Sequence, residues 1–224
     1  DGLKAFIKHL NEGKETLHKD IICFAKEDTG NRLSCEVAMQ YNDGYNENIL
    51  AFANNICNID GGTHLSGFKT ALTRTMNQYA KNNNLLKNGQ PPNGDDLREG
   101  LTAVITVKLA EPHFEAQTKV RLTNPEVGGF VESTVNEYLG HYLEEHPAES
   151  KRILNKAIQA SAARDAARKA RDLTRRKGAL STSNLPGKLW DCASKEKAGT
   201  EIFIVEGDSA GGSAKAGRDR NIQA

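Results

Sequence analysis

Residues 21–41 read IICFAKEDTGNRLSCEVAMQY, and this stretch sets the fold. Its second half is apolar at every other position, Leu33, Cys35, Val37, Met39 and Tyr41, the period of a strand with one buried face. Ile21–Phe24 is a short apolar run, and Asp28-Thr29-Gly30-Asn31 between the two is a turn signal. Together they predict a β-hairpin. A turn centred on those four residues sets Cys23 and Cys35 nearly opposite one another, a pair that could oxidise. A reducing cytosol makes free structural thiols the expected state.

Toward the N-terminus, Leu3, Phe6, Ile7 and Leu10 recur at helical spacing and Asn11-Glu12-Gly13 supplies a stop. Toward the C-terminus, Asn42-Asp43-Gly44 is a turn, Ile49–Ile56 reads as a strand, and Asp60-Gly61-Gly62 breaks it. Thr63 is expected to cap a helix whose stripe is Leu65, Phe68, Leu72, Met76 and Tyr79. Residues 82–94 are polar and read as a loop. The β-branched run in Leu101–Leu109 predicts a buried strand, followed by a loop through Pro112 and Lys119. One helix is expected from Pro125 to Glu145 and a second from about Ala148 to Lys177, stopped by Gly178. A connector and a strand, Glu201–Val205, follow, and then a Gly-rich stretch.

The chain has 224 residues and a formal net charge of +1, so overall charge names no partner. No run approaches the roughly 18 apolar residues of a membrane span, and no basic-then-apolar leader opens the chain. A soluble, cytoplasmic protein without a membrane partner is expected. The four cysteines form no C-x-x-C pair, which removes zinc-knuckle and redox motifs.

Local charge says more. Arg164, Arg168, Arg171 and Arg175 fall at steps of four, three and four, one stripe of a helix, and Lys169, Arg176 and Lys177 add to it. Ile158, Ala162, Ala166 and Leu173 would form the opposite, docking face. Guanidinium forks in a row suit a phosphate backbone; a solvated helix face is the plainer alternative. Glu206 follows the apolar run 201–205, where a carboxylate could ligate Mg²⁺ or act as an acid or base; a Gly-rich capping turn is the alternative. Gln117-Thr118-Lys119, between a strand and a helix, could extend a Lys and an amide to an anion, or simply be solvated. Gly62–Thr70, GTHLSGFKT, imitates a P-loop, but Phe68 puts Lys69 out of register, so a packing helix is expected. His64 is expected to be a structural, hydrogen-bonding residue.

These stretches resemble the B subunits of bacterial type II DNA topoisomerases, those of DNA gyrase and topoisomerase IV. The matching text includes YND at Tyr41, NN at Asn54, DGGTHLSGFKTALTRT from Asp60, GDDLREGL from Gly94, QTK from Gln117, TRRKGAL from Thr174, LPGKL from Leu185 and EGDSAGGSAKAGRDR from Glu206. The resemblance implies an α+β fold. A ribosomal protein S5 domain 2-like transducer with a βαβ crossover and long C-terminal helices spans 1–177. A connector spans 178–200, and 201–224 opens an α/β Toprim domain.

It also implies ATP contacts from Gln117 and Lys119 to the γ-phosphate, and Glu206 as catalytic acid/base or Mg²⁺ ligand. Arg164, Arg168, Arg171, Arg175 and Lys177 would meet double-stranded DNA. The implied partners are a second B subunit and an A subunit carrying the nucleophilic tyrosine, in an A2B2 heterotetramer. The remaining ATP-binding motifs and Asp-x-Asp ligands would lie outside residues 1–224, so the isolated chain is expected to be inactive. A MutL-type mismatch-repair transducer and a nonspecific nucleic-acid-binding module are the alternative readings.

Overall fold

A computed structural model describes residues 2–86, 91–181, 189–194, 196 and 198–224, apart from the side chains of 175–181. Two compact units emerge, Asp1–Asp165 and Ala166–Ala224.

The first unit is mixed α/β with one five-stranded sheet. In chain order it holds α1 (Gly2–Leu10), β1 (Ile22–Asp28), β2 (Leu33–Tyr41), β3 (Asn48–Ala53) and β4 (Ile56–Cys57). There follow α2 (Thr63–Asn82), α3 (Gly94–Arg98), β5 (Leu101–Leu109), α4 (Pro125–Glu145) and the start of α5 (Pro147–Ser181). The sheet order is β1-β2-β5-β3-β4. β1–β2, β2–β5 and β3–β4 are antiparallel, whereas β3 and β5 are parallel and are joined through α2.

The period-2 pattern decides which side chains face which layer. Val37, Met39, Leu101, Ala103 and Ile105 point to a core completed by Phe68, Leu72 and Met76 of α2 and Val131, Val135 and Leu139 of α4. Ala38 and Val104 point the other way, against Ile7 of α1. With both faces covered, β5 is buried on both sides from Leu101 to Ile105 and again at Val107. At the crossing of α2 and α4 the backbones nearly touch. A β-carbon on Gly67 would stand 2.4 Å from the Gly128 carbonyl oxygen.

Several sequence expectations need correction. The hairpin turn is centred one residue later than expected, so Cys23 pairs with Ala38 and Cys35 with Lys26. The two thiols lie in different core layers and are free. Ile49–Ile56 is not one strand: Asn54 and Asn55, at φ 47° and 66°, turn β3 into β4. Gly62, not Thr63, is the N-cap of α2, and no side chain caps it. Gly178 does not stop α5, which continues to Ser181; one glycine costs a helix only about 1 kcal/mol.

The docking face of α5 is also not the expected one. Ile153, Leu154 and Ala157 are buried, whereas Ala162 and Ala166 are exposed and Leu173 is 58% exposed. Lys156 reaches back to donate to the carbonyls of Asn42 at 2.6 Å and Gly44 at 2.5 Å, and burial lowers its pKa.

In the second unit, α6 (Asp208–Gly217) is the one helix that lies wholly within it among the described residues. The expected strand 201–205 is absent. Glu201 makes a single bridge to Gln223, and Ile202 and Ile204 are 77% and 92% exposed. A strand needs a neighbour along its length, and among the described residues only backbone bonds among Glu201, Phe203, Ile222 and Ala224 supply one. The expected connector, 178–200, lies partly outside the described residues.

Candidate functional site

The loop from Ala110 to Asn124 folds back on itself in the first unit. Thr123 N donates to His113 O at 2.9 Å and Glu115 N to Arg121 O at 3.1 Å, so the two limbs run antiparallel. The tip is a turn closed by Lys119 N on Ala116 O at 3.0 Å, with Gln117 and Thr118 in its centre. All three tip residues, Gln117, Thr118 and Lys119, are exposed. Lys119 itself has φ 55°, a left-handed conformation that costs a side-chain-bearing residue about 1–2 kcal/mol. The loop's own ion pair joins Arg121 and Glu115 at 3.7 Å and does not involve Lys119.

What holds the limbs is the segment leading into α2. Asn58 Nδ2 donates to Lys119 O at 2.7 Å, Asp60 N to Val120 O at 3.0 Å, Leu122 N to Gly61 O and Thr63 N to Leu122 O, both at 3.1 Å. The run Asp60-Gly61-Gly62 thus forms a socket for the loop rather than a mere chain break. Gly62 sits at φ 141°, a region open mainly to glycine. In the sequence, only a place three residues ahead of Gly61-Gly62 sets Asn58 apart from the other asparagines.

His64, one residue into α2, is fully buried, and neither ring nitrogen has a hydrogen-bond partner among the described residues, unlike the hydrogen-bonded residue expected from sequence. Burial depresses its pKa to about 4, which keeps the ring neutral. Lys69 of the P-loop imitation lies within α2 and pairs with Glu47 at 2.7 Å.

Of the arginines, Arg164 belongs to the first unit. It lies two turns on from Ala157, on the docked side of α5, and its Nη2 meets Asp96 Oδ2 at 3.1 Å. Asp96 is 5% exposed and also accepts from Asn93 N in the capping box of α3. Arg168 and Arg171 are exposed residues of the second unit. The side chains of Arg175 and Lys177 lie outside the described residues.

Glu206 is exposed and immediately precedes Gly207, the N-cap of α6 at φ 81°. No group of three or more His, Cys, Asp or Glu side chains that could hold a metal gathers among the described residues. Glu206 alone does not make a Mg²⁺ site. Gln117 and Lys119, two residues apart at the exposed tip, carry an amide and an ammonium, both hydrogen-bond donors to an anion. No helix among the described residues is long and apolar enough to cross a membrane.

Residues 2–173 match the DNA gyrase B family. The whole chain is 56% identical to the DNA gyrase B protein of Clostridium acetobutylicum and 52% identical to that of Halalkalibacterium halodurans. It spans 35% of the length of each. Among solved structures it is similar to the 43K ATPase domain of Thermus thermophilus gyrase B. The TM-score is 0.71 at 44% identity, over 77% of this chain and 46% of that one. The chain belongs to the DNA gyrase B family.

Proposed function

We propose that the chain is the coupling segment of an ATP-dependent type II DNA topoisomerase, an isomerase that passes one duplex through another to supercoil or decatenate DNA. In this reading residues 1–177 are an S5-like transducer, 178–200 a connector and 201–224 the opening of a Toprim domain. The observation that carries it is the exposed, buttressed tip holding Gln117 and Lys119. ATP held by a neighbouring domain supplies a terminal phosphate whose hydrolysis drives the cycle. Lys119 offers that phosphate a point charge and Gln117 an amide donor. With the phosphate gone the tip loses its partner, and the limbs carry that difference to the socket before α2.

Glu206 is assigned an acid/base or Mg²⁺-ligand role at the DNA-cleavage end. Other donors must complete such an ion site, and no step is routed through the ion. Arg164, Arg168, Arg171, Arg175 and Lys177 are assigned to double-stranded DNA, contacting phosphates without reading bases. The working enzyme would be a cytoplasmic A2B2 assembly, with an A subunit supplying the nucleophilic tyrosine. The isolated chain would neither hydrolyse ATP nor cleave DNA.

The experiment is Lys119→Ala in the full-length protein. ATP turnover should fall at least about tenfold, the scale of a lost charge-assisted contact to a reacting phosphate. Turnover equal to that of the parent would remove Lys119 from this role.

A further inference from the structure

We infer that Asn58 is the positioning residue that sets Lys119, an inference that rests on the reading of Lys119 as the terminal-phosphate contact. Asn58 is 3% exposed, and its own backbone is pinned: its N–H donates to Ala51 O of β3 at 2.8 Å, and its carbonyl accepts from Gly61 N at 2.9 Å. From that fixed base Nδ2 donates to Lys119 O at 2.7 Å, across 61 residues of sequence. Only the amide nitrogen can face a carbonyl, so the orientation of the side chain is settled by chemistry. Its other end, Oδ1, is buried with no partner among the described residues.

A buried amide with half its capacity unused is costly, so packing alone does not account for it. What it does is fix the carbonyl of a residue held at φ 55°, which sets the direction in which that residue's Cα–Cβ bond leaves the tip. The remaining bond at Lys119, from its N–H to Ala116 O, lies within the turn and moves with it. Asn58 is therefore the side-chain link between the sheet, through Ala51, and the carbonyl of Lys119, beside the backbone bond from Asp60 N to Val120 O.

The test uses the full-length protein carrying Asn58→Asp, Asn58→Ala, Lys119→Ala, and Asn58→Asp with Lys119→Ala. Asn58→Asp keeps the shape but removes the donor and sets a carboxylate oxygen against the carbonyl. Hydrogen exchange over residues 113–123 should quicken by about tenfold in both Asn58 variants, the weight of one hydrogen bond, with α4 unchanged. Unchanged exchange in the loop, or equal acceleration in α4, overturns the inference whatever Lys119 does.

The second readout is the preference for a non-hydrolysable ATP analogue over ADP. It should fall by about tenfold in the Asn58 variants with ADP affinity unchanged, and the double variant should be no worse than Lys119→Ala. Additive losses, or equal loss of ADP affinity, overturn the inference. If Lys119→Ala alone leaves the preference intact, it is the terminal-phosphate reading that fails, and the exchange arm still decides whether Asn58 holds the loop.

Discussion

The backbone of Gly62 lies so close to that of Leu122 that a β-carbon on Gly62 would stand 2.3 Å from the Leu122 carbonyl oxygen. The two residues form a parallel bridge at the mouth of α2, and it joins the socket to the loop. Gly62→Ala would meet both a forbidden φ of 141° and a rigid backbone wall. Strain of this kind costs about 1–3 kcal/mol, which for a chain of this size lowers the thermal midpoint by roughly 2–10 °C. Calorimetry checks the stability. ATP turnover of the full-length protein should fall alongside it, since the displaced limb carries Lys119. An unshifted midpoint would contradict the close approach.

Gly67→Ala tests a different contact. Its β-carbon would press into the Gly128 carbonyl of α4, 2.4 Å away, so α2 and α4 must separate. Overpacking of this kind costs about 1–3 kcal/mol. Gly67 lies one turn on from Thr63, which holds Leu122 and against whose carbonyl Gly128 packs, so stability should fall and exchange at residues 116–119 should quicken with it. Gly129, whose β-carbon would meet nothing within 4 Å, is the control: Gly129→Ala should hold or raise the midpoint.

Arg164 differs from its neighbours in the stripe because it has a fixed partner. Its side chain is 45% exposed and Asp96 only 5%, so the pair is partly screened. Arg164→Ala should cost about 1–2 kcal/mol, leaving Asp96 short of a countercharge, whereas Arg168→Ala and Arg171→Ala should stay within about 0.5 kcal/mol. DNA binding by the full-length protein should reverse the ranking. Replacing Arg168 and Arg171 together lowers the salt slope by about two if both meet phosphates, and Arg164, already engaged, adds less than one. An unchanged slope in the Arg168/Arg171 double variant would remove them from the DNA path.

Much of this architecture was legible because local chemistry fixes it. Pro125 at the first turn and His146-Pro147 at the end bound α4 where sequence placed it, and the β-branched run of β5 likewise. The failures are of another kind. A slip of one residue in the centre of the first hairpin changes which residues face one another, so Cys23 and Cys35 were misplaced although both strands were right. Asn93 and Asp96 form a capping box within a stretch dominated by polar and turn residues, which hid α3. In 201–205 the apolar residues suit a strand, but a ladder also needs neighbours, and propensity does not count them. Of the candidate site, the tip was visible as a motif. Its hold by Asn58 was not, since that bond links residues 61 apart and leaves no periodic trace.

His64 yields a pH dependence whose sign follows from its burial. Its folded pKa is depressed to about 4 from an ordinary value of 6.5, so between those limits the unfolded chain binds the proton that the folded chain refuses. The stability tied to a neutral His64 is complete above about pH 6.5 and shrinks as pH falls toward 4, by at most about 1.4 kcal/mol per pH unit. His18, whose pKa burial also lowers, acts in the same direction and should leave a residual slope when His64 is gone. His64→Leu keeps roughly the same volume, removes two unpartnered nitrogens, and should cost less than about 1.5 kcal/mol at pH 7. Thermal midpoints at pH 7, 6 and 5 should therefore converge, the parent losing more on acidification than His64→Leu. Parallel curves would mean that the ring finds a proton-compatible partner inside the fold, and the buried, unpartnered placement of His64 would be wrong.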